Sequence, residues 1–292
     1  MKQYLWAVKE VLEHGVRKTS RTGVDTISSF NLNYQIDLRE GFPLLTTKEI
    51  SWKNIVVENL WFLSGDTNIS LLQKHGCKFW DPWADQNGQV PSAYGNFWRQ
   101  FPVHRDGRLA FNDQIRYVVD ELQRNRESRR LVVSAWAPGN AQTSALPPCH
   151  AFWVLNVQNT ADGEPLLCLH LTQRSCDIAL GVPYNIAGYA FLLELFGRFS
   201  GIRPGILGHT LVDAHIYTSK ADGTQPEYDH IPNLKKQLKR NPRVLPTLNI
   251  DKSVMTLDDI PELLTADTES LLSTFQLAGY NPHPAIPFKV AV

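Results

Sequence analysis

The sequence has 292 residues, 43% of them hydrophobic, and it contains no Pro/Gly/Ser-rich linker or internal repeat that would divide it. This composition predicts one large domain, residues 1–292, with a substantial hydrophobic core. Lys plus Arg and Asp plus Glu both total 29, so the formal net charge is zero, and nothing indicates a protein that binds nucleic acid or a membrane surface.

Small molecules and protein are therefore the expected partners. No apolar stretch approaches the length needed to span a bilayer, and the N-terminus lacks the features of a signal peptide, so a cytosolic (cytoplasmic) location is predicted. The four cysteines have no metal-ligand spacing and are too few for a disulfide framework. We expect reduced thiols and no bound metal, and one of the thiols could be a nucleophile.

Apolar periodicity predicts the secondary structure along the chain. Helical spacing is found at residues 2–14, 52–63 and 113–122, in a helix that begins near Pro183, and in a short helix near 234–238 within the polar stretch 221–246. Alternating or β-rich runs predict strands around 28–36, 131–136, 151–157 and 166–173. Because helices and strands are mixed without regular βαβ alternation, the sequence favours an α+β layered fold over a doubly wound sheet.

The stretch from Gln173 to Asn185 has polar side chains between two apolar segments, at a predicted junction between a strand and a helix. It contains the cation of Arg174 and the carboxylate of Asp177, and both need partners if they are buried. An internal polar network would supply those partners, and so would a bound anion. Both interpretations stay open on the residues alone.

Two further side chains have the chemistry of catalysis. Glu58 lies at the edge of an apolar helical stripe, where partial desolvation would raise its pKa and suit proton transfer, although a surface position is the alternative. Cys149 follows two prolines that could hold its thiol in place as a nucleophile, or it is simply a small core residue. A reactive thiol would need a nearby cation or base, which Arg174 or His150 could supply.

Cations form another candidate group. Arg129 and Arg130 lie at the boundary between a predicted helix and a predicted strand rather than along one helical face. Together with Arg21, Arg174 and Ser175 they would make a phosphate clamp, and surface ion pairs are the alternative.

Aromatic side chains form the last group. Trp80 and Trp83 flank a turn-forming proline, and Tyr94 follows further along the chain. These rings could stack on a flat heterocycle or belong to the core.

The chain resembles the thymidylate synthase family along its whole length. Several long motifs occur in the order found in that family: Arg21-Thr22-Gly23, FPLLTTK at 42–48, Glu58 with LWFL at 60–63 and GDTN at 65–68, Pro148-Cys149-His150, the stretch 173–185, DAHIY at 213–217 and NPHP at 281–284. The resemblance implies a thymidylate synthase-like α+β fold in which a twisted mixed sheet forms the interface of a homodimer.

The resemblance also implies a reaction. The substrate would be dUMP and the cosubstrate 5,10-methylenetetrahydrofolate, and Cys149 would attack C6 of the pyrimidine so that C5 can capture the folate's one-carbon unit. Glu58 would relay protons around the base with Tyr94 and His150. The implied nucleotide-binding residues are Arg21, Arg174 and Ser175 at the phosphate with Arg129 and Arg130 from the partner subunit, Asn185 at the uracil edge, His215 and Tyr217 at the sugar hydroxyl, and Gln173.

The implied folate site uses the second half of the same stretch. Asp177 would hydrogen-bond the pterin, and the C-terminal residues 290–292 would close over the site so that hydride reaches the intermediate before water does. The other implied folate-site residues are Trp80, Trp83, Leu146, Leu180, Gly181, Tyr184 and Ala291.

Departures from the family pattern keep one alternative open. Tyr184 stands where phenylalanine is usual, and Val154 and Pro82 also depart. A hydroxyl at 184 could order a water, as a pyrimidine nucleotide hydroxymethylase would need, since that reaction ends with water instead of hydride. Trp80 and the closing C-terminus favour the synthase.

Asn185 predicts a uracil nucleotide under either reaction, because a carboxamide presents the donor and the acceptor that a uracil edge requires. A non-catalytic nucleotide- or RNA-binding relative is the third hypothesis. The retained Cys149 and Glu58 argue against it.

Overall fold

The computed structural model describes residues 1–20, 23–140, 144 and 146–291. Arg21 of the expected phosphate clamp and the terminal Val292 lie outside the described residues. The α-helices are α1 (Lys2–His14), α2 (Trp52–Ser64), α3 (Ser70–Lys74), α4 (Tyr94–Arg99), α5 (Gln114–Arg124), α6 (Gly181–Ser200), α7 (Ile231–Leu238), α8 (Ile260–Thr265) and α9 (Thr268–Thr274). The strands are β1 (Val16–Thr19), β2 (Asp25–Asp37), β3 (Phe101–Arg105), β4 (Arg108–Asn112), β5 (Val132–Ser134), β6 (His150–Asn159), β7 (Pro165–Gln173), β8 (Cys176–Asp177), β9 (Arg203–Thr218), β10 (Thr247–Ile250) and β11 (Phe275–Ala278).

Helix caps explain two of the predicted boundaries. The Ser51 hydroxyl accepts a hydrogen bond from the Asn54 N–H at 3.3 Å and begins α2, and Gly65, with φ of 77°, ends it. The carboxylate of Asp113 accepts from the Arg116 N–H at 2.9 Å, so this residue caps α5 rather than opening it. Both helices therefore lie within a few residues of the predicted ranges.

Seven strands of the described chain form one mixed sheet, in the order β1-β2-β9-β7-β6-β5, with β8 also paired to β9. β7 and β8 run parallel to β9, and the other neighbours are antiparallel. The long strand β9 is central, since it pairs with β2 from Asp37↔Ile206 to Asp25↔Thr218. A mixed sheet packed with helices confirms the predicted α+β fold.

Helix α6 forms the middle of the core. It is buried along most of its length and packs against α2, β7 and β9. The predicted apolar stripe, which includes Ile186, Tyr189 and Phe196, is fully or almost fully buried. Because α6 begins at Gly181, the polar stretch 173–185 lies between the end of β7 and the first turns of the core helix.

The other face of the sheet is exposed at its β5–β6 side. Phe152 is 38% exposed while its neighbour Trp153 is fully buried, as expected when successive side chains alternate between faces. Val132 pairs with Val154 across the two strands, so both lie on the same face as Phe152. We name this surface the outer sheet face and define it by Val132, Phe152 and Val154.

A close helix contact positions the aromatic residues of the site. A Cβ atom on Gly95 would lie 2.5 Å from the carbonyl oxygen of Phe62, so α4 approaches α2 as closely as only glycine allows. The neighbouring Tyr94 ring therefore meets the Phe62 ring edge-on at 5.1 Å. None of the helices in the described chain is both long enough and apolar enough to cross a membrane.

Candidate active site

A cavity of about 700 Å³ opens where β1 and the C-terminal end of β9 meet the loop before β6. It brings together residues that are far apart in the sequence. The described residues that line it are Lys18, Thr19, Ser20, Thr26, Trp83, Ser144, Leu146, Pro147, Cys149, Arg174, Ser175, Asp177, Asp213, His215, Tyr217 and Ala291.

The main chain of Cys149 is held from two sides. Its N–H donates to the Tyr94 hydroxyl at 3.0 Å, and its carbonyl oxygen accepts from the Arg174 N–H at 2.9 Å. The residue is half-buried and lies on the cavity wall rather than in the core. Of the two interpretations of this cysteine, the structure therefore favours an accessible, oriented thiol over a core residue.

His150 packs flat against Tyr94. The centres of the two rings are 4.6 Å apart with an angle of 10° between their planes. The main-chain N–H of His150 lies 3.5 Å from the Tyr94 hydroxyl. Burial lowers the pKa of His150 to about 4, partly opposed by an interaction with the Asn185 side chain. The imidazole is thus neutral at pH 7, which leaves Arg174 as the cation of the pair that could favour the thiolate form of Cys149.

Glu58 lies on α2, behind the aromatic residues. Its carboxylate accepts from the Trp80 indole N–H at 2.8 Å, and the Trp80 ring meets the Tyr94 ring edge-on at 5.8 Å. Burial raises the pKa of Glu58 to about 7, against which the Trp80 hydrogen bond acts. A carboxyl group with this pKa can both accept and release a proton near neutral pH.

Asn185 is connected to the end of β7. The Gln173 side-chain N–H donates to Asn185 Oδ1 at 2.8 Å, so the carboxamide of Asn185 has a defined orientation. A side chain added at Gly181 would lie 3.5 Å from the same oxygen atom, and 3.8 Å from Asp177 Cβ. A Cβ atom there would be in ordinary van der Waals contact with both residues, and Asn185 is not among the described residues that line the cavity.

Arg174 spans the turn that precedes Cys149. Its guanidinium donates to the carbonyl oxygens of Pro147 and Pro148 at 2.7 and 2.9 Å, and lies 5.3 Å from the centre of the Trp136 ring. Two of its five N–H groups are occupied in this way, so the guanidinium is held rigidly while it lines the cavity beside Ser175. Main-chain carbonyl oxygens are thus the partners of the Arg174 guanidinium. No ion pair joins Arg174 to Asp177 in the described chain.

The other arginines of the expected clamp lie elsewhere. Arg129 and Arg130 are exposed, and within the described chain they line a separate surface hollow near the end of α5. Arg21 falls outside the described residues, next to Ser20, which lines the cavity. One chain therefore brings Arg174, Ser175 and Lys18 together without Arg129 or Arg130.

The sugar-binding candidates lie at the end of β9. The rings of His215 and Tyr217 meet edge-on at 5.3 Å, and both line the cavity. Asp213 is also on β9, and its carboxylate accepts from the Ser28 hydroxyl on β2 and from Lys18 Nζ on β1, the latter at 3.4 Å. Oxygen and nitrogen groups suited to hydroxyl groups therefore lie beside the cationic end of the cavity.

Asp177 has one carboxylate oxygen in hydrogen bonds and a second with no hydrogen-bond partner among the described residues. Its Oδ1 accepts from the N–H groups of Ala179 and Leu180 at 2.9 and 3.1 Å, and no group in the described chain is hydrogen-bonded to Oδ2. Trp83, Leu146 and Ala291 line the same cavity. These residues could hold a flat ring system with a polar edge.

Other expected folate residues lie outside that lining. Trp80 is buried among Trp61, Phe62 and Tyr94, so of the two tryptophans only Trp83 is open to the cavity. The Tyr184 hydroxyl lies 3.4 Å from the Ser51 N–H, and its ring packs edge-on against Phe79. Leu180 directly precedes α6 and is half-buried.

Some residues of the site were not predicted. Lys18, Thr19 and Asp213 line the cavity, and Lys48 donates to the Ala179 carbonyl oxygen at 2.6 Å behind Asp177. Burial lowers the pKa of Lys48 to about 8. Lys48 and Asp213 belong to motifs that carry the family resemblance. Their place in those motifs was therefore the sequence feature that could have identified them as site residues.

A family model described as thymidylate synthase matches residues 2–292, which is almost the entire chain. Residues from the motifs that carry the resemblance meet in one cavity, since Cys149, Arg174, Asp177 and His215 all line it. The match supports folate-dependent transfer of a one-carbon unit to dUMP, with methylenetetrahydrofolate as cosubstrate, and the enzyme is therefore a one-carbon transferase. The chain belongs to the thymidylate synthase family.

Proposed function

We propose that this enzyme is a thymidylate synthase, which converts dUMP to dTMP by reductive methylation. The observation that carries the proposal is the position of Cys149 in the wall of a single cavity that Arg174, Ser175, Asp177 and Trp83 also line. The first pair suits a phosphate and the second a pterin. Bound methylenetetrahydrofolate supplies the one-carbon unit and the hydride.

Cys149 is the proposed nucleophile. Its sulfur adds to C6 of the pyrimidine, and the electron pair moves to C5, which then bonds to the one-carbon unit. Loss of the C5 proton would then expel the folate nitrogen, hydride from the tetrahydrofolate would reduce the methylene group left on C5, and elimination of the sulfur from C6 would release dTMP and the Cys149 thiolate. The Tyr94 hydroxyl accepts the Cys149 N–H at 3.0 Å, so nucleophile and aromatic group are fixed relative to each other.

Glu58 is the proposed proton carrier. Its pKa of about 7 allows it to hold a proton in one step and release it in another. Trp80 donates to Glu58 and contacts the Tyr94 ring, and neutral His150 stacks on that ring, so these groups hold Glu58 and Cys149 in the same part of the site. Tyr94 and His150 are the proposed assistants of Glu58 in proton transfer.

The proposed phosphate site is completed by a second subunit. Arg174, Ser175 and Arg21 would belong to one subunit, and Arg129 and Arg130 to its partner. Two features support this arrangement. The side chains of Arg129 and Arg130 are exposed, and both residues directly precede β5, a strand of the apolar outer sheet face. A homodimer formed through that face would bury Phe152 and Val132.

The final step favours hydride over water. A water-ordering hydroxyl was the main argument for a hydroxymethylase, but the Tyr184 hydroxyl lies 3.4 Å from the Ser51 N–H at the start of α2. Its ring packs against Phe79 at 5.0 Å, so the hydroxyl is held at the start of α2 by both contacts. This position supports the synthase reaction.

The test is incubation with dUMP and methylenetetrahydrofolate. We expect dTMP by mass spectrometry and a stoichiometric amount of dihydrofolate. Formation of 5-hydroxymethyl-dUMP with tetrahydrofolate would instead identify the hydroxymethylase and overturn the synthase proposal. Parallel reactions with dCMP, UMP and CMP test the base and sugar specificity that Asn185 and His215 are proposed to supply.

Replacing the nucleophile tests the mechanism. Cys149→Ala should abolish turnover while dUMP binding, measured by calorimetry, stays measurable, because the other nucleotide contacts remain. Cys168→Ala is the matched control, since Cys168 is a half-buried thiol that does not line the cavity. Turnover in Cys149→Ala would refute covalent catalysis by this residue.

A further inference from the structure

A chain of hydrogen bonds runs through the core to Asn185. The Tyr34 hydroxyl on β2 lies 2.8 Å from His209 Nδ1, and His209 Nε2 lies 3.0 Å from Gln173 Oε1. The Gln173 side-chain N–H then donates to Asn185 Oδ1 at 2.8 Å. We call these four residues the Tyr34 relay, and the first three are buried.

The relay has a direction. Asn185 Oδ1 accepts from Gln173, whose Oε1 must then accept from His209, so His209 carries its proton on Nε2 and accepts from Tyr34 on Nδ1. Burial lowers the pKa of His209 to about 3, so the ring is neutral throughout the working pH range. In this arrangement the Tyr34 hydroxyl, both ring nitrogens of His209 and the Gln173 carboxamide each have a hydrogen-bond partner.

The opposite direction is less favourable because of Tyr34. If both carboxamides turned over and His209 moved its proton to Nδ1, the Tyr34 oxygen would have to accept. The hydroxyl proton would then need another acceptor, and within the described chain His209 is the only group hydrogen-bonded to that hydroxyl. A buried polar hydrogen without a partner is costly, so the tyrosine at the far end sets the direction for all four residues.

This direction decides which pyrimidine fits. Uracil offers a donor at N3 and an acceptor at O4, whereas cytosine offers an acceptor at N3 and a donor at N4. With Oδ1 held toward Gln173, Asn185 has one lone pair left on that oxygen for the N3 proton, and its Nδ2 can donate to O4. Cytosine would require the carboxamide to be reversed.

We propose that Tyr34 and His209 are positioning residues that hold the Asn185 carboxamide in the orientation that accepts uracil and rejects cytosine. The inference rests on the proposed function, which puts Asn185 at the edge of the base. Tyr34 and His209 are buried and are connected to Asn185 through Gln173, so both act on the carboxamide rather than by touching the substrate.

His150 is the other group that interacts with the Asn185 side chain. Its Nδ1 is buried and has no hydrogen-bond partner in the described chain. The hydrogen bond that fixes the Asn185 carboxamide in the described chain therefore comes from Gln173.

The test compares the specificity ratio in matched variants. Tyr34→Phe removes the hydroxyl and leaves both directions of the relay with one unpaired His209 atom, so the ratio of kcat/KM for dUMP over dCMP should fall by about tenfold. Tyr4→Phe is the control: its fully buried hydroxyl donates to the Ile178 carbonyl oxygen at 3.1 Å, outside the relay. The control should keep the wild-type ratio, and a Tyr34→Phe ratio equal to it would overturn the proposal.

A second measurement does not depend on turnover. In the wild-type protein, ¹⁵N NMR of the His209 ring should show the proton on Nε2, and Tyr34→Phe should show a mixture of tautomers. A wild-type proton on Nδ1 would mean that the relay runs the other way and would overturn the inference. If dUMP is not turned over at all, the proposed function fails, while the tautomer and the ratio of dUMP to dCMP binding still decide the inference.

Discussion

Glu58→Gln is expected to remove a specific pH dependence of stability. Burial places the pKa of Glu58 at about 7 in the folded protein, against an ordinary value of 4.5. The folded state therefore binds this proton more tightly than the unfolded chain does. The stabilisation is fully present below pH 4.5 and is lost as the pH rises through about 7.

The size of the effect follows from that interval. At about 1.4 kcal/mol per pH unit, the rise from 4.5 to about 7 corresponds to about 3 kcal/mol of unfolding free energy. A glutamine has no proton to lose, and its side-chain oxygen can still accept from Trp80. The free energy of unfolding of Glu58→Gln minus that of the wild type should therefore increase by about 3 kcal/mol between pH 4.5 and pH 8.

Glu194→Gln provides the matched control. Burial also raises the pKa of Glu194 to about 7, but this residue lines a separate hollow beside Arg198, away from Cys149. Urea unfolding at several pH values should show the same trend for both variants. Turnover should fall by about 10² to 10⁴ in Glu58→Gln alone, the range for loss of a general acid–base group.

Two results would refute this reasoning. A stability difference that does not change with pH would mean that Glu58 is not a buried carboxyl group with a raised pKa. Full turnover in Glu58→Gln would mean that its proton is not used.

Two further predictions concern the C-terminal segment and the subunit interface. The buried His230 Nε2 lies 2.9 Å from the carbonyl oxygen of Lys289, so His230→Leu should speed hydrogen exchange at the C-terminus and raise KM for the folate several-fold, by loss of about one hydrogen bond. Glu227→Gln, which removes the half-exposed ion pair with Lys289, should change little; equal effects of both variants would contradict the first prediction. Phe152→Arg should yield a monomer in sedimentation and abolish turnover, because it puts a charge on the outer sheet face, whereas Val244→Arg, at an exposed site outside the sheet, should remain a dimer. A dimeric Phe152→Arg would exclude that face as the interface.

Local patterns predicted several elements well because their causes are local. The apolar period of α2 and the caps Ser51 and Asp113 lie within or next to the helices they define. The central strand β9 was not predicted. Its sequence includes Gly205 and Gly208, and its pairing partners in β2 lie more than a hundred residues away along the chain.

The order of the motifs by itself determined the family and the identity of the chemical groups: a cysteine after two prolines, an arginine and an aspartate after a strand, and a carboxamide at the start of a helix. Only the tertiary structure decided which of these groups meet. Tyr94 and Cys149 are 55 residues apart but share a hydrogen bond, and Glu58 has a raised pKa because residues from other elements bury it.

The same holds for the two tryptophans and for Asn185. Trp80 is buried and Trp83 lines the cavity, although the sequence treats them alike. The orientation of Asn185 depends on Tyr34, a residue on a distant strand. The two are connected by successive hydrogen bonds through His209 and Gln173, and these bonds exist only because packing brings the four side chains into contact. Desolvation and contacts between distant residues are properties of the folded chain, so no local sequence pattern can predict them.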